Sequence, residues 1–197
     1  TQLIDCGNEA AVTASGERAG GIAAQIDGAS RLERCTNYGS VTGTDGVGGV
    51  VGIVSDQDSA LTDCINRGAV AANGSGVGVG GVAGRVGGAL TRCANYGALT
   101  GSGWYMGGVV GACVLENASA LTDCYNVGAV QNAHTYAGSG TGGLIGYGND
   151  YRAENCYGYG AVSAAAGTVG GTVGKDSSRS TNVRSNLYYL TGSCAYA

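Results

Sequence analysis

A cysteine recurs along this chain at a nearly constant interval. The interval is 29 residues three times and then 31 and 32 residues, for the series Cys6, Cys35, Cys64, Cys93, Cys124 and Cys156. The text around each cysteine repeats as C-x-N-x-G-x-V, and a segment with a glycine pair, such as VGGVVG from Val47, follows in every unit. Six related units of about 30 residues indicate a repeat architecture.

The local sequence of each unit predicts strands. Glycine inside each apolar segment costs about 1 kcal/mol relative to alanine in a helix, whereas short β-branched runs bounded by Gly and Asn are typical of strands. A unit of this size cannot bury an apolar face alone and must stack on its neighbours. We therefore predict an all-β fold: one parallel β-solenoid domain over 1–197, right-handed, with six coils and a closing segment at 183–197.

Stacking predicts columns of equivalent residues about 4.8 Å apart. Three apolar columns are expected to point inward. They are Leu3, Leu32, Leu61, Leu90 and Leu121; Val12, Val41, Val70, Leu99, Val130 and Val162; and Ile22, Val50, Val82, Val109 and Leu144. The glycine pairs are expected at corners with positive φ or where two backbones approach closely.

Two polar columns provide a further test of the register. The column before the cysteines alternates in charge, which is favourable only if neighbouring coils stack in register. It reads Asp5, Arg34, Asp63, Arg92 and Asp123. Two residues after the cysteines stand Asn8, Asn37, Asn66, Asn95 and Asn126, and an asparagine column can hydrogen-bond along a stack.

The composition limits the classes of partner. With 40 Gly, no Pro, no Phe and 44% hydrophobic residues, the chain is expected to fold around a thin core of small side chains. A net charge of −4 with a single lysine makes nucleic acid and anionic membranes poor partners. No apolar run reaches the roughly 18 residues of a membrane helix, and no signal peptide opens the chain, so we expect a mature or excised segment.

The cysteines are expected to be buried free thiols. Neighbours in one column would have Cβ atoms about 4.8 Å apart, which exceeds the roughly 3.8 Å of a relaxed disulfide. Cys113 and Cys194 lie outside the column, and we expect these two to be exposed or bonded. The cysteine spacing and the single histidine do not fit a zinc site, so no metal and no cofactor are predicted.

Nothing in the sequence has the spacing of a catalytic constellation, and the chain is predicted not to be an enzyme. The single histidine, His134, lies in the longest insertion and is interpreted as a loop residue.

Aromatic residues are the better candidates for a functional site. Tyr38, Tyr96 and Tyr159 share a column three residues after the cysteines, and Arg67 stands between two of them. Cation–π contacts or a binding strip would result.

Trp104 and Tyr105 form a second aromatic spot. In the alternative interpretation, the tyrosines only cover the stack against water.

The repeats CTNYGSV, CINRGAV, CANYGAL and CYNVGAV, each followed by its glycine pair, resemble the GLUG repeat. This module occurs in large bacterial surface and secreted proteins, including the repeat region of some M26-type IgA peptidases. The terminal SNLYYLTG from Ser185 looks like the closing segment of such arrays. The resemblance implies an extracellular location and an adhesive or spacer role, and it implies no catalytic residues because the zinc motif HEXXH is absent.

Several functions remain open at this point. We expect a noncatalytic structural or adhesive module that takes a host or cell-surface protein or glycan as partner. Alternatives are an accessory binding segment of a larger secreted enzyme, or a filament subunit that stacks end to end, whose particle length would grow with concentration in light scattering. Ice binding is disfavoured because the column of Thr62, Thr91 and Thr122 is flanked by Glu33 and Glu154.

Overall fold

The chain forms a parallel β-solenoid of about six coils, as predicted. The computed structural model describes residues 1–113, 119–177 and 181–192 and the backbone of 194–196. Within these residues every strand pair is parallel and no helix occurs, so no helix there is a candidate for crossing a membrane. Leu61 pairs with Leu32 on one side and Leu90 on the other, which is the predicted register. Handedness stays a prediction.

Each coil contributes five strand positions, here called faces 1 to 5. Faces 1 and 2 belong to one sheet. The strands of face 1 are Gln2–Ile4, Arg31–Glu33, Ala60–Thr62, Ala89–Thr91 and Ser119–Thr122, those of face 2 are Gly7–Asn8, Thr36–Asn37, Ile65–Asn66, Ala94–Asn95 and Tyr125–Asn126, and Tyr151–Gly158 and Val183–Tyr189 run through both faces.

The other three faces are separate sheets. Face 3 comprises Val12–Thr13, Val41–Gly43, Val70–Ala72, Leu99–Gly101, Val130–Asn132, Val162–Ala164 and Cys194–Tyr196. Face 4 comprises Glu17–Gly20, Asp45–Gly48, Val79–Gly80, Tyr105–Gly107, Gly140–Gly142 and Thr168–Gly170. Face 5 comprises Ala23–Ile26, Val51–Val54, Ala83–Val86, Val110–Cys113, Ile145–Gly148 and Val173–Asp176.

The apolar residues form two separate clusters. The first contains the leucine and cysteine columns of faces 1 and 2 together with apolar residues of face 5, for example Leu61, Cys64 and Val86. In the second, the valine column of face 3 packs against face 4, for example Val70 with Val79. The core is therefore two thin layers, which small side chains can fill to normal density.

The asparagine column and the glycine pairs that it contacts lie between the two clusters, and we call this arrangement the asparagine–glycine interlock. Asn66 donates from Nδ2 to Asn95 Oδ1 at 2.8 Å and to the carbonyl oxygen of Gly68 at 2.8 Å. Asn8, Asn37 and Asn95 repeat this pattern, whereas Asn126 donates, within the described residues, only to the carbonyl oxygen of Gly128, because the next coil has Gly158 in this column. The asparagine amide lies directly against the second glycine of a pair, since a Cβ placed on Gly49 would be 2.2 Å from Asn66 Cγ. At each glycine pair the backbone of the coil thus bends inward until it contacts the asparagine column, and we call this bend the inward fold.

Close approach, and not positive φ, accounts for these glycines. None of the paired glycines has positive φ. Faces 4 and 5 pack back to back, because a Cβ on Gly48 would be 2.8 Å from the backbone nitrogen of Gly84, and one on Gly80 would be 2.7 Å from that of Gly111. Any side chain at these positions would separate the two sheets.

Positive φ occurs instead in the column before the cysteines. Asp63 and its equivalents have φ between 51° and 55°, which bends the chain between face 1 and face 2. Arg92 donates from Nε and Nη2 to both carboxylate oxygens of Asp63, at 2.7 and 2.8 Å, and Arg34 binds Asp5 in the same way. Asp123 forms no ion pair among the described residues, because Arg92 is already turned towards Asp63.

The column cysteines are free, and all but Cys6 are buried. The thiols of Cys64 and Cys93 donate to backbone carbonyl oxygens, and burial raises the pKa of Cys35 to about 11. The expectation for Cys113 was wrong. This residue is also free and buried, because face 5 places it in the first cluster, and burial raises its pKa to about 12. The side chain of Cys194 lies outside the described residues.

Candidate functional site

Face 2 presents a row of aromatic side chains to solvent. Its strands alternate, so the cysteine and asparagine columns point inward while the residues one and three positions after each cysteine point outward. We call this surface the aromatic strip. It consists of Tyr38, Arg67, Tyr96, Tyr125, Tyr157, Tyr159 and Tyr188.

Arg67 contacts one of its two neighbouring tyrosines. The guanidinium carbon lies 4.7 Å from the ring centroid of Tyr96, a distance typical of a cation–π contact. Within the described residues Arg67 has no such contact with Tyr38. The predicted arrangement of Arg67 between two rings is therefore present on one side only.

Tyrosines one residue after the cysteines also lie on the aromatic strip, and this column was not predicted. The rings of Tyr125 and Tyr157 stack with centroids 5.0 Å apart and an angle of 2° between their planes. The ring of Tyr96 lies perpendicular to that of Tyr125, with the two centroids 5.7 Å apart. The hydroxyl groups of Tyr96 and Tyr125 hydrogen-bond, which raises the pKa of Tyr125 to about 12. The period of Tyr125, Tyr157 and Tyr188 in the sequence was the available signal.

Ring faces in the middle of the strip are covered by neighbouring rings, while those at its ends are open. Tyr38 and Tyr159 are 55% and 57% exposed, and no ring contact involves either of them in the described part of the chain. At the C-terminal end of the strip lies an open groove of about 230 Å³. It is lined by Tyr157, Gly158, Tyr159, Tyr188, Tyr189 and Leu190.

A second aromatic patch lies at the turn between faces 3 and 4 of coils 4 and 5. Trp104 packs against Tyr136 at 5.1 Å and His134 at 6.0 Å, whereas Tyr105 stacks on Tyr147 at 4.4 Å. His134 lies in a loop, and its Nδ1 accepts a hydrogen bond from the backbone N–H of Tyr136 at 3.0 Å. Trp104 and Tyr105 therefore face different partners within one patch.

Few polar groups in the described structure are placed for metal binding or catalysis. Over the described ranges, no group of three or more His, Cys, Asp or Glu side chains is placed to hold a metal ion. The Nδ1 atom of His134 accepts a hydrogen bond from the backbone of its own loop, and its ring packs against Trp104. The aromatic strip presents aromatic rings, tyrosine hydroxyl groups and the guanidinium of Arg67, which has no ion pair with any residue that the structure describes. Such groups bind ligands by stacking and hydrogen bonding.

Comparison with known proteins finds a solved structure whose fold is similar to that of this chain. No family model and no curated protein matches the sequence. A solved structure from Bacteroides ovatus, described as a candidate immunoglobulin A1 protease, matches with a TM-score of 0.73 and 22% identity. The match covers 90% of this chain and 60% of that one, so this chain spans about three fifths of the length of the solved protein. This chain shares its solenoid fold with that protein.

Proposed function

We propose that the chain is a noncatalytic adhesive module of a bacterial cell-surface or secreted protein of the GLUG-repeat type. The observation that carries the proposal is the aromatic strip, in which exposed tyrosines with open ring faces are held on a stacked scaffold. The strands under the aromatic strip are hydrogen-bonded on both sides and hold its side chains at a fixed spacing. This favours binding, because little conformational entropy is lost when a ligand binds.

A specific observation favours an accessory segment of a larger enzyme as the second candidate. The Bacteroides ovatus protein with the same fold is described as a candidate protease, and this chain spans only part of its length. In such a protein the solenoid would hold a substrate or a surface while another part performs the chemistry. The aromatic strip would serve both candidates in the same way.

Retention of coated beads tests the proposal. Beads carrying the 197-residue chain are washed over arrays of immobilised polysaccharides, mucin and fibronectin. We expect retention on at least one surface, and we expect Tyr159→Ala together with Tyr188→Ala to reduce it at least about tenfold, because both rings border the groove and stacking on aromatic rings dominates such contacts.

The matched control is Tyr136→Ala, which removes a similarly exposed ring, 52% accessible, from the second patch. Circular dichroism of both variants is used to check that they are folded. Beads retained no better than bare beads, or retention that the double variant leaves intact, would contradict the proposal. Loss of bead retention with Tyr136→Ala alone would place the binding surface on the second aromatic patch instead.

A further inference from the structure

Among the arginines of faces 1 and 2 in the described part of the chain, Arg31 and Arg67 form no ion pair, and of these two only Arg67 has its guanidinium over an aromatic ring. Arg34, Arg92 and Arg152 each form an ion pair with a carboxylate. Arg67 is exposed and has no ion pair among the described residues, and its guanidinium rests on the ring of Tyr96. The five N–H donors of this group are therefore directed to solvent from a fixed support.

The surroundings of Arg67 are neutral. The register places Thr36 and Tyr38 in the coil on one side and Ala94 and Tyr96 in the coil on the other, with Ile65 beside Arg67 in its own coil. A guanidinium over an aromatic ring, without an internal anion, is suited to a planar carboxylate that it can bind through two parallel hydrogen bonds.

The backbone of this face argues against an extended peptide as ligand. The backbone N–H of Arg67 donates to the carbonyl oxygen of Asn37 at 2.8 Å, and the N–H of Tyr96 donates to Asn66 at 2.8 Å. Peptides that bind in extended form use free main-chain groups at a sheet edge, and an internal coil offers none. A sugar needs only side-chain donors and an open ring face. Tyr38, one coil from Arg67, supplies such a face.

We propose that Arg67, Tyr38 and Tyr96 form a site for an acidic saccharide, in which Arg67 binds the sugar carboxylate and the ring of Tyr38 stacks on the sugar. This inference rests on the proposed adhesive function and names its ligand class. The hydroxyl group of Tyr96, whose ring supports the guanidinium, hydrogen-bonds that of Tyr125, and in the proposed site both hydroxyl groups also bind sugar hydroxyl groups. A neutral sugar would leave the Arg67 donors without an anionic partner.

Titration calorimetry with the whole chain tests the site. The probes are a hyaluronan octasaccharide, an oligogalacturonide and sialyllactose, each also in a form whose carboxyl groups are reduced to alcohols. We expect at least one acidic probe to bind, with the reduced form at least about tenfold weaker, since a hydrogen-bonded charge pair is lost. Arg67→Gln should weaken binding by at least about the same factor, and added salt should also weaken it.

The matched control is Arg31→Gln, which removes an exposed arginine with no ion pair in the described structure and with Gln2 and Ala60 as neighbours. It should change binding less than about twofold. Failure of all three acidic probes, equal binding of the reduced forms, or full binding by Arg67→Gln would overturn the acidic-saccharide site. Bead retention that depends on Tyr159 and Tyr188 would still stand in that case, so the two failures are distinguishable.

Discussion

Replacing Gly81 with alanine is expected to destabilise the chain by at least about 3 kcal/mol or to prevent folding. A Cβ at this position would be 2.1 Å from the carbonyl oxygen of Gly108 and 2.3 Å from Asn95 Cγ. The Asn95 amide donates to Asn126, and the backbone N–H of Gly108 donates to the carbonyl oxygen of Gly142 at 3.1 Å, so neither residue can move aside without straining these hydrogen bonds. The inward fold of that coil would therefore have to open.

Denaturant unfolding followed by circular dichroism measures the effect. The matched control is Gly16→Ala, because nothing lies within 4 Å of a Cβ there. The control should change the free energy of unfolding by no more than about 0.5 kcal/mol, because the added methyl group meets no neighbouring atom. Equal stability of the two variants would contradict the inward fold of the glycine pairs.

Replacing Asn95 with leucine is expected to cost about 3 kcal/mol or more of unfolding free energy. Asn95 donates to Asn126 Oδ1 at 2.7 Å and to the carbonyl oxygen of Gly97 at 2.8 Å, and it accepts from Asn66 Nδ2 at 2.8 Å. Leucine has a similar volume but no polar atom, so buried partners on three sides would lose hydrogen bonds in a place that water does not reach.

Asn73→Leu serves as the control for this substitution, since Asn73 is exposed and its side chain makes no hydrogen bond in the described structure. We expect its unfolding free energy to stay within about 0.5 kcal/mol of the parent chain. A similarly small effect at Asn95 would show that the asparagine column contributes little, and the interlock between asparagines and glycine pairs would lose its support.

The inward columns could be predicted from the sequence because stacking constrains them strongly. Leu61 repeats in register with Leu32 and Leu90, and a shift of one residue would turn all three to solvent. The inward fold at the glycine pairs could not be derived in the same way. The spacing of Gly48 and Gly49 is compatible with either a positive φ or a close approach, and only the neighbouring coils decide between them.

Prediction of the candidate site succeeded less well, for a physical reason. Outward side chains are held by rotamer choice and not by stacking, so Arg67 lies over Tyr96 alone although its column also contains Tyr38. Tyr125 and Tyr157 were missed because tyrosine replaces small residues in that column only in the later coils. Cys113 was misjudged because it takes a core position that the preceding coils fill with Ile26, Val54 and Val86.

In a stacked solenoid, equivalent side chains of successive coils contact each other. Nuclear Overhauser spectroscopy on a leucine-methyl-labelled chain measures these contacts. Strands of adjacent coils lie about 4.8 Å apart, so Leu61 should give cross-peaks to Leu32 and Leu90 and none of comparable strength to Leu121, two coils away. Absence of the peak between Leu61 and Leu90, or a stronger peak between Leu61 and Leu121, would contradict the stacked solenoid.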